Sequence, residues 1–220
     1  MSVSVAPTAA ESSPRQSLKT HDAWISRGLP GVFFVSGFAA LLYQLVWQRT
    51  LFALLGINTE SVTIVVTAFM LGLGCGGLLG GALSRAKPRT VIRRFAMAEI
   101  ATAMFGAISL SVFHFIGDAA LSLPDSATAL VTFVLLLAPT MAMGATLPLL
   151  VAYTVSLSGN VGWSVGMMYA VNTLGSSMGA FAATLLLMRT LGQQGVVWVG
   201  VVSNLAAAGM VLYWDRVSSR

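Results

Sequence analysis

Charge is the scarcest property of this sequence: Asp, Glu, Lys and Arg make up only 9% of its 220 residues, against about a quarter in an ordinary soluble domain. A chain so short of charge cannot clothe a fold held in water. Cysteine is nearly missing as well, and the single Cys75 excludes both an internal disulfide and a cysteine-rich metal site. Histidine is almost as rare, and His114 has no second His, Cys or carboxylate at ligand spacing, so no metal is expected. There is no Walker loop, nucleophile elbow, paired-histidine motif or usefully spaced acid pair. We therefore expect no catalysis by this chain and no cofactor.

What is present is apolar. Hydrophobic residues reach 56% and fall in long uncharged runs, each near the ~20 residues that a helix needs to cross hydrocarbon. Spans are expected at about Leu29 to Leu55, Ser61 to Leu83, Val91 to Ile116, Ala127 to Val155, Val161 to Met188 and Val196 to Trp214, bounded by Gly, Asn, Ser or Pro. None of the runs alternates with period two, which excludes a barrel and leaves helices. The expected fold is an all-α, six-helix membrane bundle over residues 25–216. Ahead of it, residues 1–24 are rich in Ser, Ala and Pro and read as a disordered cytoplasmic tail, with a short cytoplasmic end at 217–220. The first apolar run is too long for a signal-peptide core, so it is expected to remain as a span.

The formal charge of +5 is a topology signal, with no nucleic-acid partner implied. Arg15, Lys19 and Arg27 precede the first span; Arg85, Lys87, Arg89, Arg93 and Arg94 lie in the segment "SRAKPRTVIRR" at 84–94; Arg216 and Arg220 follow the last span. The opposite side carries only Arg49 and Arg189, with Glu60, Asp118 and Asp125. The positive-inside rule then places both termini in the cytoplasm, in a bacterial inner membrane. Trp24, Trp47, Trp163 and Trp214 fall where interfacial aromatics are expected.

Several polar or small residues interrupt the spans. In "AFMLGLGCGGLLGG" at 68–81, Gly72, Gly74 and Gly77 match a dinucleotide fingerprint only formally, because no strand-to-helix turn surrounds them. Gly72, Gly76 and Gly80, at i, i+4 and i+8, instead form a smooth stripe for close helix packing. Pro139 and Pro148, around Gly144, each remove a helical hydrogen bond, and the result is either a hinge beside a cavity or a static kink. Asn172 and Ser176 share a face of the fifth span, suited to an interhelical hydrogen bond or to a polar wall for substrate. Gln44 and Gln48 share a face of the first span. Glu99 is the one acidic residue well inside a span and is a functional candidate on that ground, paired with Arg93 or Arg94, protonated, or set to bind a cation or proton.

Four segments in order, "FFVSGFAALLYQLVWQRTL" at 33–51, "AFMLGLGCGGLLGG" at 68–81, "PTMAMGATLPLL" at 139–150 and "YAVNTLGSSMGA" at 169–180, resemble the N-terminal membrane domain of bacterial fused major-facilitator/spermidine-synthase-like proteins. The resemblance implies half of a major-facilitator fold. In that family a soluble aminopropyltransferase-like domain follows; no such segment occurs here, so its activity is not carried over. The basic segment resembles a degenerate major-facilitator loop, with Ser84, Arg85 and Lys87 where an acidic residue and basic ones are expected. The resulting expectation is a half-transporter-like protein, a homodimer or joined to a separate membrane or synthase-like partner, that binds or moves a small polar or cationic, polyamine-like metabolite. Its candidate cavity residues are Gln44, Gln48, Glu99, Asn172 and Ser176. The alternative is a non-transporting anchor or scaffold subunit, or the membrane part of a split aminopropyltransferase-like system.

Overall fold

Each apolar run forms a helix, because backbone polar groups have no water to bond in hydrocarbon and must pair within their own segment. The structure, a computed structural model, describes the backbone of residues 14–55, 59–120 and 124–217, and side chains over 28–53, 62–119, 124 and 126–217. The helices are α1 (Pro14–Leu55), α2 (Thr59–Leu83), α3 (Pro88–Ala120), α4 (Asp125–Ser158), α5 (Val161–Ala182) and α6 (Met188–Val217), with a π-helical turn, Ala183–Leu187, joining the last two. There is no strand among the described residues.

Five stretches are long and apolar enough to cross a membrane: Gly28–Ala53, Val62–Leu83, Pro88–Ala119, Ser126–Ser158 and Val161–Val217. The protein is a helical membrane protein. The last stretch has 57 residues, roughly 85 Å of straight helix and more than twice the thickness of hydrocarbon. It is broken at Gly192, whose φ of 65° and ψ of −179° lie outside helical space, in a region open essentially to glycine alone.

The breakers act where the sequence places them. Pro88 opens α3, where its missing N–H costs nothing, and Lys87 O accepts from the amides of Thr90 and Val91. Gly159, left-handed at φ 67°, ends α4 with its N–H on Val155 O; the Asn160 side chain then accepts from Trp163 N to start α5. Pro139 and Pro148 both lie inside α4, which runs on as one helix. Two expectations shift. α1 is helical from Pro14, within the stretch read as a tail, while residues 1–13 of that stretch lie outside the described residues. Trp47 is not interfacial but fully buried, held by Nε1 donating to Ser109 Oγ at 2.9 Å and by Tyr43, Phe69, Phe105 and Phe113 around its ring.

Two apolar clusters divide the bundle along its length. One joins Leu29, Phe33, Ile92, Phe95, Leu149, Leu150, Met168 and Val211, from the first halves of α1, α3 and α5 and the second halves of α4 and α6. The other joins Leu42, Trp47, Val65, Phe69, Phe113, Leu136 and Val196, toward the opposite ends of those helices. The chain therefore reverses direction from helix to helix.

The best-packed pairs are α2 with α4, α1 with α5, α3 with α6, α3 with α4 and α1 with α6, and each joins one of the first three helices to one of the last three. Backbone contacts repeat residue for residue. A Cβ on Gly76 or Gly80 would strike the carbonyl oxygen of Met141 or Ala145, and one on Gly144 that of Leu73. Likewise, a Cβ on Gly175 or Gly179 would strike the carbonyl oxygen of Phe34 or Phe38, and one on Gly37 that of Asn172. Phe34, Gly37 and Phe38 have the spacing of Met141, Gly144 and Ala145; Asn172, Gly175 and Gly179 have that of Leu73, Gly76 and Gly80. The α2–α4 seam thus recurs as the α5–α1 seam. The buried positions of α3 (Val91, Ile92, Phe95, Ala96, Glu99, Thr102, Ala103) match in spacing those of α6 (Val196, Val197, Gly200, Val201, Asn204, Ala207, Ala208). Because α1 and α4 start at opposite ends, the two three-helix units form an inverted repeat, an arrangement that in transporters places the binding site at the repeat interface.

Candidate functional site

A cavity of ≈ 310 Å³ opens between the two apolar clusters, with walls from all six helices. It could hold roughly ten waters at their liquid volume, and it lies within the size range of small-molecule sites. Ser36 and Gln44 reach it from α1, Glu99 and Thr102 from α3, Asn172 and Ser176 from α5, and Asn204 from α6. Leu73 and Gly77 of α2, with Gly144 and Pro148 of α4, form the apolar wall.

Glu99 sits between helices with 2% of its surface exposed, and Ser36 Oγ donates to its Oε1 at 2.5 Å. That hydroxyl is its partner, rather than a basic residue. Arg93 pairs with Asp215 of α6 at 2.7 Å, joined by Arg89 at 2.9 Å, and Arg94 Nη1 donates to Leu83 O at 2.5 Å. These arginines stand between one and three turns from Glu99 along α3, each satisfied at the helix end. Arg49, on another helix, is exposed with Nη1 3.8 Å from Met188 Sδ. Among the described residues, Glu99 is the only ionisable one lining the cavity, and its polar companions are neutral amides and hydroxyls.

Four of the residues singled out in the sequence, Gln44, Glu99, Asn172 and Ser176, meet in this cavity. Asn172 and Ser176 reach it because Gly37 lets α5 settle against α1, with Ser176 Oγ donating to Gly37 O at 3.2 Å. Gln48 does not join them. It lies one turn beyond Gln44, in a depression with Arg49, Phe52 and Met188 and in a small cleft it shares with Gln44 and Phe69. Phe69 and Gln44 line both that cleft and the cavity, whereas Gln48 lines the cleft and not the cavity. Of the proposed hinge residues, Gly144 and Pro148 line the cavity, while Pro139 lies off it, beside Thr140, whose Oγ1 donates to Leu136 O at 2.6 Å. His114 bonds Leu110 O within its own helix through Nδ1 at 2.6 Å.

Sequence reasoning missed Ser36, Thr102 and Asn204. Asn204 is 2% exposed and its Oδ1 has no hydrogen-bond partner among the described residues; the same holds for Thr102 Oγ1. An amide within "VVSNLAAAG" carries the same signal that singled out Asn172. Among the described residues, no three His, Cys, Asp or Glu side chains are grouped so as to hold a metal ion. In comparisons with known proteins, no family model, curated protein or solved structure matches this chain.

Proposed function

We propose that this chain is a half-transporter-like membrane protein that binds, and with a second copy or a separate partner moves, a small polar or cationic metabolite. The observation that carries this reading is the cavity itself: one buried carboxyl, Glu99, among Gln44, Asn172, Asn204 and Ser176, with no basic residue on its walls among the described residues. A polar chamber inside a membrane bundle is costly to keep, which is why intramembrane ionisable groups mark ligand and ion paths. The inverted repeat adds support, since the chamber lies where α1, α2, α4 and α5 converge between the two units.

In this reading the chain crosses the membrane six times, the break at Gly192 separating the last two spans, and both termini face the cytoplasm. The end of the bundle that holds Arg85, Lys87, Arg89, Arg93, Arg94 and Arg216 is then the inner one, and the end with Arg49 and Arg189 the outer. A scaffold role draws less support, because Gly72, Gly76 and Gly80 are spent inside the chain against Thr140, Met141 and Ala145 of α4 and are not offered to a partner.

The test is uptake and binding in proteoliposomes with wild type and Glu99→Gln, paired with native mass spectrometry after gentle extraction. A homodimer stabilised by substrate, with uptake lost in Glu99→Gln, is the expected result. Identical uptake in the two proteins would remove Glu99 from the role, and a hetero-complex without transport would return the scaffold reading.

A further inference from the structure

The repeat relates Glu99 to Asn204. Each occupies the same place in the buried pattern of its helix, following Phe95 and Ala96 in α3 and Gly200 and Val201 in α6. Both line the cavity, and α3 packs directly on α6. The two halves of the chain thus present to one chamber a carboxyl and an amide from equivalent positions. Their surroundings differ in one respect. Glu99 has Ser36 as a donor, whereas Asn204 Oδ1 is buried with no donor among the described residues. A buried acceptor left open is costly and is rarely kept without a partner.

We infer that Glu99 and Asn204 are the two poles of one binding site for a small organic ammonium ion that carries a second, neutral hydrogen-bond donor, with the ammonium against Glu99 and the donor against Asn204 Oδ1. The inference rests on the binding function proposed above and adds the shape of the ligand. A carboxyl at one pole selects positive charge. An amide at the other accepts a hydroxyl or amide N–H but gives a second full charge nothing to neutralise it, so a diammonium ion leaves one charge buried without a counter-ion. A plain alkylammonium ion leaves Asn204 Oδ1 as it stands, unpaired, and forgoes that bond. Thr102, three residues after Glu99 in α3, also lines the cavity, and its buried Oγ1 is a second polar atom without a partner among the described residues.

The experiment is calorimetric titration of the purified full chain in lipid nanodiscs with three matched series of three to six carbons: alkylammonium, ω-hydroxyalkylammonium and α,ω-diammonium ions. Wild type is expected to bind the best hydroxyalkylammonium ion about fivefold to tenfold more tightly than the alkylammonium ion of equal length, the worth of one neutral hydrogen bond. Asn204→Leu should erase that margin. Asn204→Asp should reverse the ranking in favour of the diammonium ion, and it carries the test alone if Asn204→Leu does not fold. A wild type without the margin, a margin that survives Asn204→Leu, or a ranking unmoved by Asn204→Asp would overturn the inference. If ammonium ions bind and Glu99→Gln weakens them while the Asn204 variants change nothing, only this inference falls. If no ammonium ion in any series binds wild type, the cation-binding reading falls with it.

Discussion

Ser36 Oγ and Glu99 Oε1 meet at 2.5 Å, a hydrogen bond that joins α1 to α3 across the cavity wall. Ser36→Ala removes the donor and leaves a buried carboxyl oxygen open, at a cost of about 1–3 kcal/mol. Thermal unfolding in detergent should show the loss. The double variant Ser36→Ala/Glu99→Gln should lose less than the sum of the two single variants, because the interaction can be removed only once. Strict additivity would mean that the two side chains do not communicate.

The paired seams predict a contrast among glycines. Gly76→Ala and Gly175→Ala each drive a Cβ against a backbone carbonyl, of Met141 and Phe34, that has no rotamer in which to yield. Overpacking of this kind costs about 1–3 kcal/mol. Gly74→Ala, in the same helix as Gly76, meets nothing within 4 Å and should be neutral or raise stability by up to about 1 kcal/mol through helix propensity. Melting temperatures of the three variants settle the matter, and equal losses at Gly74 and Gly76 would contradict the packing described.

Gly192 bends the chain between α5 and the main run of α6. Gly192→Ala should destabilise the fold by about 1–3 kcal/mol, because its backbone lies where a Cβ is strained whatever the space around it. There is indeed space, with nothing within 4 Å of an added Cβ. A loss here therefore reports backbone conformation alone, and an unchanged melting temperature would show that the break is not required.

Orientation can be read chemically. Replacing Cys75 with Ser gives a cysteine-free chain, into which Lys87→Cys or Thr190→Cys returns one thiol at either end of the bundle. An impermeant maleimide applied to intact cells should label the variant at 190 and spare the one at 87. The reverse pattern would invert the proposed topology.

Helix positions were legible because hydrophobic length and breakers are local properties: Pro88, Gly159 and Asn160 end or begin helices where their chemistry requires it. Glu99, Asn172 and Ser176 were legible because polarity in an apolar run is conspicuous. Gln48 does not line the chamber that Gln44 lines, because a shared face at i, i+4 says nothing of depth along the helix. The pairing of Gly175 and Gly179 with Phe34 and Phe38 was not legible, since a row of small residues shows that a helix can approach but not which one. Asn204 stands in an apolar run as conspicuously as Asn172, but its equivalence to Glu99 depends on how α3 and α6 pack, which no local pattern encodes.

The best-packed helix pairs all join one half of the chain to the other. As the nascent chain enters the bilayer, the glycine face of α2 therefore stays bare until α4 arrives, and Gly37 of α1 until α5 follows. A product cut after α3 would lack the partners of both faces, so the second half of the chain completes the packing of the first.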